Sequence, residues 1–185
     1  MLTGAHLLIS WISTVELLHE RRERTLVTLA GIAPDLDGLG IIADSMTGTT
    51  AFYLKYHHYV GHSALSALII ASLAAVSAKT QHLSVWLLSV LVVHLHVLAD
   101  VAGSKGPDGY QWPIYYLYPF NSAYELTWSG QWELDAWQNQ AVMVVLLSIC
   151  IYYAATRKIS FLEVFSEKID KDAFQLYEKY VRRRF

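Results

Sequence analysis

Side chains of the kind that hold metal ions fall in four short clusters, and each lies at, or just beyond, the end of an apolar segment. They are His6; Asp35 and Asp37 in APDLDG; His57, His58 and His62 in HHYVGHS; and His96 and Asp100 in HLHVLAD. A chain of helices that reverses direction at each turn brings all four to one end of a bundle. A ring of His and Asp at that end is what a hydrolytic metal site requires.

The 185 residues suit one domain with a sizeable core. Hydrophobic residues make up 54% and charged residues 16%, against roughly 25% charged in an average soluble domain. That shift points to a membrane protein, with a soluble bundle of very apolar helices as the alternative. The formal net charge of −2 supplies no overall basic field to recruit nucleic acid. Eight of the fourteen Lys and Arg lie from Arg157 onward, and the chain closes with Arg182, Arg183 and Arg184. The single cysteine, Cys150, excludes an intrachain disulfide and a Cys-based zinc site. The N-terminal stretch does not read as a signal peptide, having no Lys or Arg before Arg21 and no small-residue cleavage site after its apolar run.

The periodicity predicts an all-α, multi-helix bundle, membrane-embedded, with a metal site at one end. Expected helices run from Leu2 to about His19, through the charged run His19–Arg24 to Pro34, from Ser63 to Ala78, from Leu83 to about Ala102, and from Asp135 to about Thr156. Pro34 is expected to stop the second, because the residue before a proline disfavours helical geometry. Asp44 to Thr50 reads as a loop. Residues 63–78, 83–102 and 137–156 are the expected bilayer spans, whereas Thr25 to Ala33 is too short to cross. Residues 1–159 form the expected helical domain. Residues 160–185 form a basic amphipathic tail helix lying on a membrane or on the bundle.

If the clusters mark the top, the turns at the bottom collect Arg21, Arg22, Arg24, Lys79, Arg157 and Lys158, while the top keeps only Lys55 and Lys105. The positive-inside rule then puts the bottom in the cytoplasm and the ligand end outward, toward the periplasm of a bacterial inner membrane.

His96 and Asp100, four apart on a helix, share one face. An ionisable pair inside so apolar a helix is costly and suggests function. His94, two residues from His96, is rotated off that face and reads as a structural histidine. Asp35 and Asp37 suit a hard-cation or bridging position. His57 reaches in from a loop and His62 from a first helical turn, with Ser63 as cap. His19 and His82 belong at the bottom, facing solvent. The expected ligands are His6, Asp35, Asp37, His57, His62, His96 and Asp100, holding two or three ions. Zinc is the first choice, with manganese or iron next. Asp37 is expected to bridge ions and orient the attacking water, as the catalytic residue. His58, Glu133 and Asp135 are further candidates, as are Asp108 and Glu125 in the aromatic stretch from Gly106 to Gly130. Trp112, Tyr115, Tyr116, Tyr118, Phe120, Trp128 and Trp132 line either an apolar substrate cleft or a belt at the bilayer surface.

Taken in order, the clusters resemble the YdjM-like family of inner-membrane-associated metal-dependent hydrolases. That pattern runs Thr-His near the start, Pro-Asp-x-Asp, His-Arg-x-x-Thr-His-Ser, and His-x-x-x-Asp followed by a glycine and an aromatic–proline segment. Its counterparts are Gly4-Ala5-His6, Pro34-Asp35-Leu36-Asp37, His57 to Ser63, His96 to Asp100, Gly106, and Leu117-Tyr118-Pro119-Phe120. His58 stands at the arginine position and Gly61 at the threonine position. The resemblance implies a metal-dependent hydrolase. Its expected substrate is an ester, above all a phosphoester with a lipid-like part, and membrane lipid is the expected partner. Two other classes remain: a membrane haem or electron-transfer protein using histidine pairs, and a metal-stabilised interaction protein without turnover.

Overall fold

The computed structural model describes residues 1–106 and 109–180; Asp108 and Arg182, Arg183 and Arg184 lie outside them. Its helices are α1 (Thr3–Ile12), α2 (Arg21–Ile32), α3 (Gly40–Thr47), α4 (Phe52–Tyr56), α5 (Ala64–Ser77), α6 (His82–Gly103), α7 (Trp137–Arg157) and α8 (Glu167–Tyr180). Short 3-10 segments cover Ala33–Leu39 and Phe161–Val164. Isolated bridges are the only β pairing among the described residues. The protein is an all-α bundle.

Helix α6 is the central post. It packs against α1, α2 and α5, while α1 also packs against α2 and α7. One core, between α2, α5 and α6, is built from Val27, Ala30, Ala74, Val85, Leu88 and Val92. A second joins Leu8 and Trp11 of α1 to Cys150 of α7 and to Val164. Close approach depends on small residues: a Cβ on Gly31 would fall 1.8 Å from Ser10 Oγ and 3.2 Å from Val92.

The outside of the bundle is apolar. Val76 of α5 is 83% exposed, and Leu83 of α6 and Ile151 of α7 are 70% and 68% exposed. Buried histidines and aspartates with exposed leucines and valines are the arrangement a bilayer solvent favours. Three helical runs are long and apolar enough to cross a membrane: Arg21–Thr47, His82–Gly103 and Trp137–Arg157. This corrects the expected set of spans. Helix α5, at 14 residues, extends only about 21 Å, less than the ~30 Å hydrocarbon core. The stretch around Thr25–Ala33 is longer than expected because the chain does not leave helical geometry at Pro34. It tightens into the 3-10 segment, where proline sits in the first turn and its missing N–H costs nothing. It then continues into α3, which absorbs part of the expected 44–50 loop.

The two ends differ as the charge pattern requires. At the bottom, Arg22 donates to Ser77 O, Arg157 pairs with Glu16, and Glu23 accepts from the backbone of Lys79 and Thr80. The guanidinium of Arg24 pairs with Glu163 through two bonds of 2.7 Å. Trp11 Nε1 donates to the same carboxylate at 2.9 Å. The segment Phe161–Val164 is thereby built into the bundle, ahead of α8.

Candidate metal centre

At the top, four elements deliver the cluster. Helix α1 places His6, the 3-10 segment places Asp35 and Asp37, α6 places His96 and Asp100, and the connection between α4 and α5 places His57, His58 and His62. Ser63 caps α5 by accepting from Ser66 N, which fixes where the His62 backbone enters. The connection lies tight against the 3-10 segment: a Cβ on Gly61 would come within 2.2 Å of Pro34 O. The aromatic stretch locks it from the other side, with Tyr115 N–H bonded to His58 O and Ala64 N–H to Tyr116 O.

The hydrogen bonds set the ring tautomers. His96 Nδ1–H donates to Gly31 O at 2.7 Å. His62 Nδ1–H donates to Asp37 Oδ2 at 3.1 Å, and His57 Nδ1–H to Asp37 Oδ1 at 2.7 Å. Gly61 N–H completes the set on Asp37 at 3.0 Å. Each Nε2 of His62 and His96 is left with its lone pair facing inward. The two atoms lie 3.1 Å apart, and they stand 3.3 Å and 3.0 Å from Asp100 Oδ2. His6 Nε2 lies 3.2 Å from Asp100 Oδ1, and His96 Nε2 lies 3.4 Å from Asp35 Oδ1. The Met1 amino group also contacts Asp100 Oδ1. His6 and His96 stack with ring centres 3.6 Å apart.

Lone pairs and carboxylate oxygens that converge in a buried space repel one another unless a proton or a metal ion lies between them. Unpartnered buried atoms gather here: His6 Nδ1, Asp35 Oδ2, His58 Nδ1 and Asp100 Oδ2. The 3.0–3.4 Å separations also match the about 3.3 Å between donors on a tetrahedral ion with bonds of ~2.0–2.1 Å. Three overlapping groups have ligand atoms within 4.8 Å of one another: His6, Asp35, His96 and Asp100; Asp37, His57 and His62; and His58, His62 and Asp100. The residues fit a His/Asp-bound ion of the zinc class.

All seven residues expected as ligands meet at this end. His58, a further candidate, joins them. Burial, with His62 as the next influence, holds its pKa well below the ordinary histidine value, so the ring is neutral at pH 7. Burial opposes the charged form of His62 too, but hydrogen bonds to Asp100 and Asp37 outweigh it and raise that pKa. Glu133 and Asp135 are exposed and stand outside these groups. Glu125 instead meets the Tyr115 hydroxyl. His94 is structural, with Nδ1 on Val90 O and Nε2 on the Tyr116 hydroxyl. His19 and His82 are exposed at the bottom. The aromatic stretch divides: Trp112 packs on His57 and His58 at 5.1 and 4.9 Å, while Phe120 is 83% and Trp128 48% exposed. A cavity of about 360 Å³ opens beside the cluster, walled by Asp35, Tyr53, His58, Asp100, Lys105 and Trp112.

The family model described as YdjM inner membrane protein matches residues 1–165. The chain belongs to this family. Its membership covers every helix that supplies the cluster; the family description is of an inner membrane protein, and three helical runs here are long and apolar enough to cross a membrane. No curated protein and no solved structure matches the chain.

Proposed function

We propose that this member of the family is a metal-dependent hydrolase of esters, foremost phosphoesters carrying an apolar, lipid-like part. The observation that carries the reading is the convergence of the inward Nε2 atoms of His62 and His96 on Asp100 Oδ2, at 3.3 and 3.0 Å, in a fully buried setting. His6, Asp35, His57, His62, His96 and Asp100 form the ligand pool, with Asp37, expected as a bridging ligand, standing instead behind His57 and His62; zinc is the ion, with manganese or iron as substitutes. When bound, such an ion supplies a water nucleophile at neutral pH and stabilises charge developing on the ester oxygen.

The chain's own part is positioning. Asp37 holds His57 and His62 by their Nδ1–H groups and keeps both rings in the tautomer that offers Nε2. Gly31 O does the same for His96. Trp112 and Tyr53 wall the cavity and limit water, and Lys105 brings the cationic group that faces an anionic substrate. Exposed Leu39 and Leu134 at its walls provide an apolar path for a lipid-like chain. With the basic turns in the cytoplasm, the cavity opens on the outer side of the membrane.

A haem role for the paired histidines is disfavoured: Nε2 atoms 3.1 Å apart are too close to sit on opposite faces of one macrocycle. The reading is tested by elemental analysis of the full chain purified without added metal, followed by a panel of carboxylic and phosphate esters with and without chelator. Stoichiometric zinc-class metal and chelator-sensitive hydrolysis are expected. A metal-free protein that gains nothing on reconstitution overturns the reading. A metal-replete protein inactive across the panel favours a metal-stabilised binding role.

A further inference from the structure

His58 is 1% exposed; its Nδ1 is buried without a hydrogen-bond partner, and its Nε2 has only a 4.0 Å contact with Asp100 Oδ2. Its ring is wedged between His57, His62 and Trp112, at 4.3, 4.5 and 4.9 Å between ring centres. Its backbone is held at φ +72°, in the left-handed region that a side chain other than glycine adopts at a cost. His94 shows the contrast: a structural histidine in this fold bonds through both nitrogens. A buried imidazole whose Nδ1 has no partner is rare in native proteins and calls for an explanation in the site itself.

The direction of the ring supplies one. His58 Nε2 points to Asp100 Oδ2 at 4.0 Å, and the ligand atoms of His58, His62 and Asp100 all lie within 4.8 Å of one another. This triplet stands beside the four-residue group of His6, Asp35, His96 and Asp100. Asp100 belongs to both, with Oδ1 toward His6 and Oδ2 toward His96, His62 and His58. The four-residue group has a full tetrahedral donor set. The triplet has three donors. His58 and Asp100 line the cavity, as does Asp35 of the four-residue group, so the two positions differ in donor number rather than in access to the cavity. Three protein donors with an open face are the pattern of a reactive position, and four that of a closed one.

We propose that His58, His62 and Asp100 form a second, cavity-facing position for a zinc-class ion, so that this chain holds two ions with the Asp100 carboxylate between them. The proposal rests on the metal reading above and adds to it a second position that its three protein donors leave open. A hard oxyanion oxygen, such as that of a phosphate ester, is the ligand chemistry that such an open position takes.

The test is zinc stoichiometry of the full chain at saturating free zinc, by equilibrium dialysis and elemental analysis, for wild type, His58→Asn and His94→Asn. Asparagine tolerates the left-handed backbone, and circular dichroism checks the fold. Two equivalents in wild type and in His94→Asn, falling to one in His58→Asn, are expected. Wild type saturating at one equivalent overturns the proposal, even where His58→Asn does not fold. A His58→Asn variant that keeps two also overturns it. Loss of one ion in a protein that hydrolyses nothing in the ester panel upholds the second position and removes the hydrolase reading. One equivalent throughout with hydrolysis intact does the reverse.

Discussion

Asp37 lies directly behind His62 as seen from Asp100: its Oδ2 is 3.1 Å from Nδ1 of that ring, whose Nε2 is 3.3 Å from Asp100 Oδ2. The carboxylate therefore acts on an ion through the imidazole. Asp37→Asn keeps the shape, but offers one acceptor oxygen where His57, His62 and Gly61 need two. Zinc affinity is expected to drop about 10–100-fold with helix content unchanged. Chelator competition measures it. An unchanged affinity would show that Asp37 does not orient the ligands.

The raised pKa of His62 sets a pH dependence. Hydrogen bonds that the ring donates to Asp100 and Asp37 outweigh burial and favour its protonated form in the metal-free protein. An ion must displace that proton. Affinity is therefore full above the raised pKa, and falls about tenfold per pH unit below it for the one proton. His58, held neutral by burial, adds no such competition. Zinc titrations between about pH 5.5 and 9, with proton release recorded, check this. A flat profile would remove His62 from the ligand set.

The convergence of the clusters was legible because each stands at the end of an apolar segment, and segments that alternate direction must bring alternate ends together. The role of His94 was legible from its two-residue offset from His96. The path beyond Pro34 was not: a proline rule predicts where an α-helix stops, and says nothing of a 3-10 continuation. That one local difference added Arg21–Thr47 to the candidate spans, whereas residues 63–78 dropped out because α5 has only 14 residues. The burial of His58 was equally hidden. Adjacent histidines in a loop carry no periodicity, and only the φ of +72° together with the clamp from Tyr115 N turns the second ring inward.

Glu163 was not visible either, since it sits in a tail whose spacing reads as surface helix. The structure makes it the buried partner of Arg24, which also donates to Leu18 O and His19 O. Truncating one side strands the other charge in the core. Arg24→Ala is expected to destabilise the protein by about 3–5 kcal/mol, measured by thermal or denaturant unfolding in detergent. Metal stoichiometry should persist under native conditions, because the pair lies at the opposite end from the cluster. A loss below about 1 kcal/mol, the scale of a surface pair, would show that the bridge is solvated.

Lys105 follows Asp100 by five residues, just past the end of α6. Its backbone is pinned by Trp132 O and Leu134 N, and its side chain helps wall the cavity. Lys105→Met removes the charge and keeps the length. A charge-assisted bond is worth about 1.5–3 kcal/mol, so KM for a phosphate ester is expected to rise about 10–100-fold, with KM for a neutral carboxylic ester unchanged. Equal effects on both substrates would assign Lys105 to packing.

Orientation follows from the same charge pattern that located the ends. Arg21, Arg22 and Lys79 lie at the bottom, and Asn121 is exposed in the aromatic stretch that covers the cluster. In a Cys150→Ser background, a cysteine placed by Asn121→Cys is expected to react with a membrane-impermeant maleimide in intact cells. One placed by Lys168→Cys, exposed near the basic turns, should react only after permeabilisation, because basic loops stay on the cytoplasmic side. The opposite labelling pattern would turn the cavity toward the cytoplasm. It would then restrict substrates to those reachable from the inner leaflet, leaving the metal chemistry untouched.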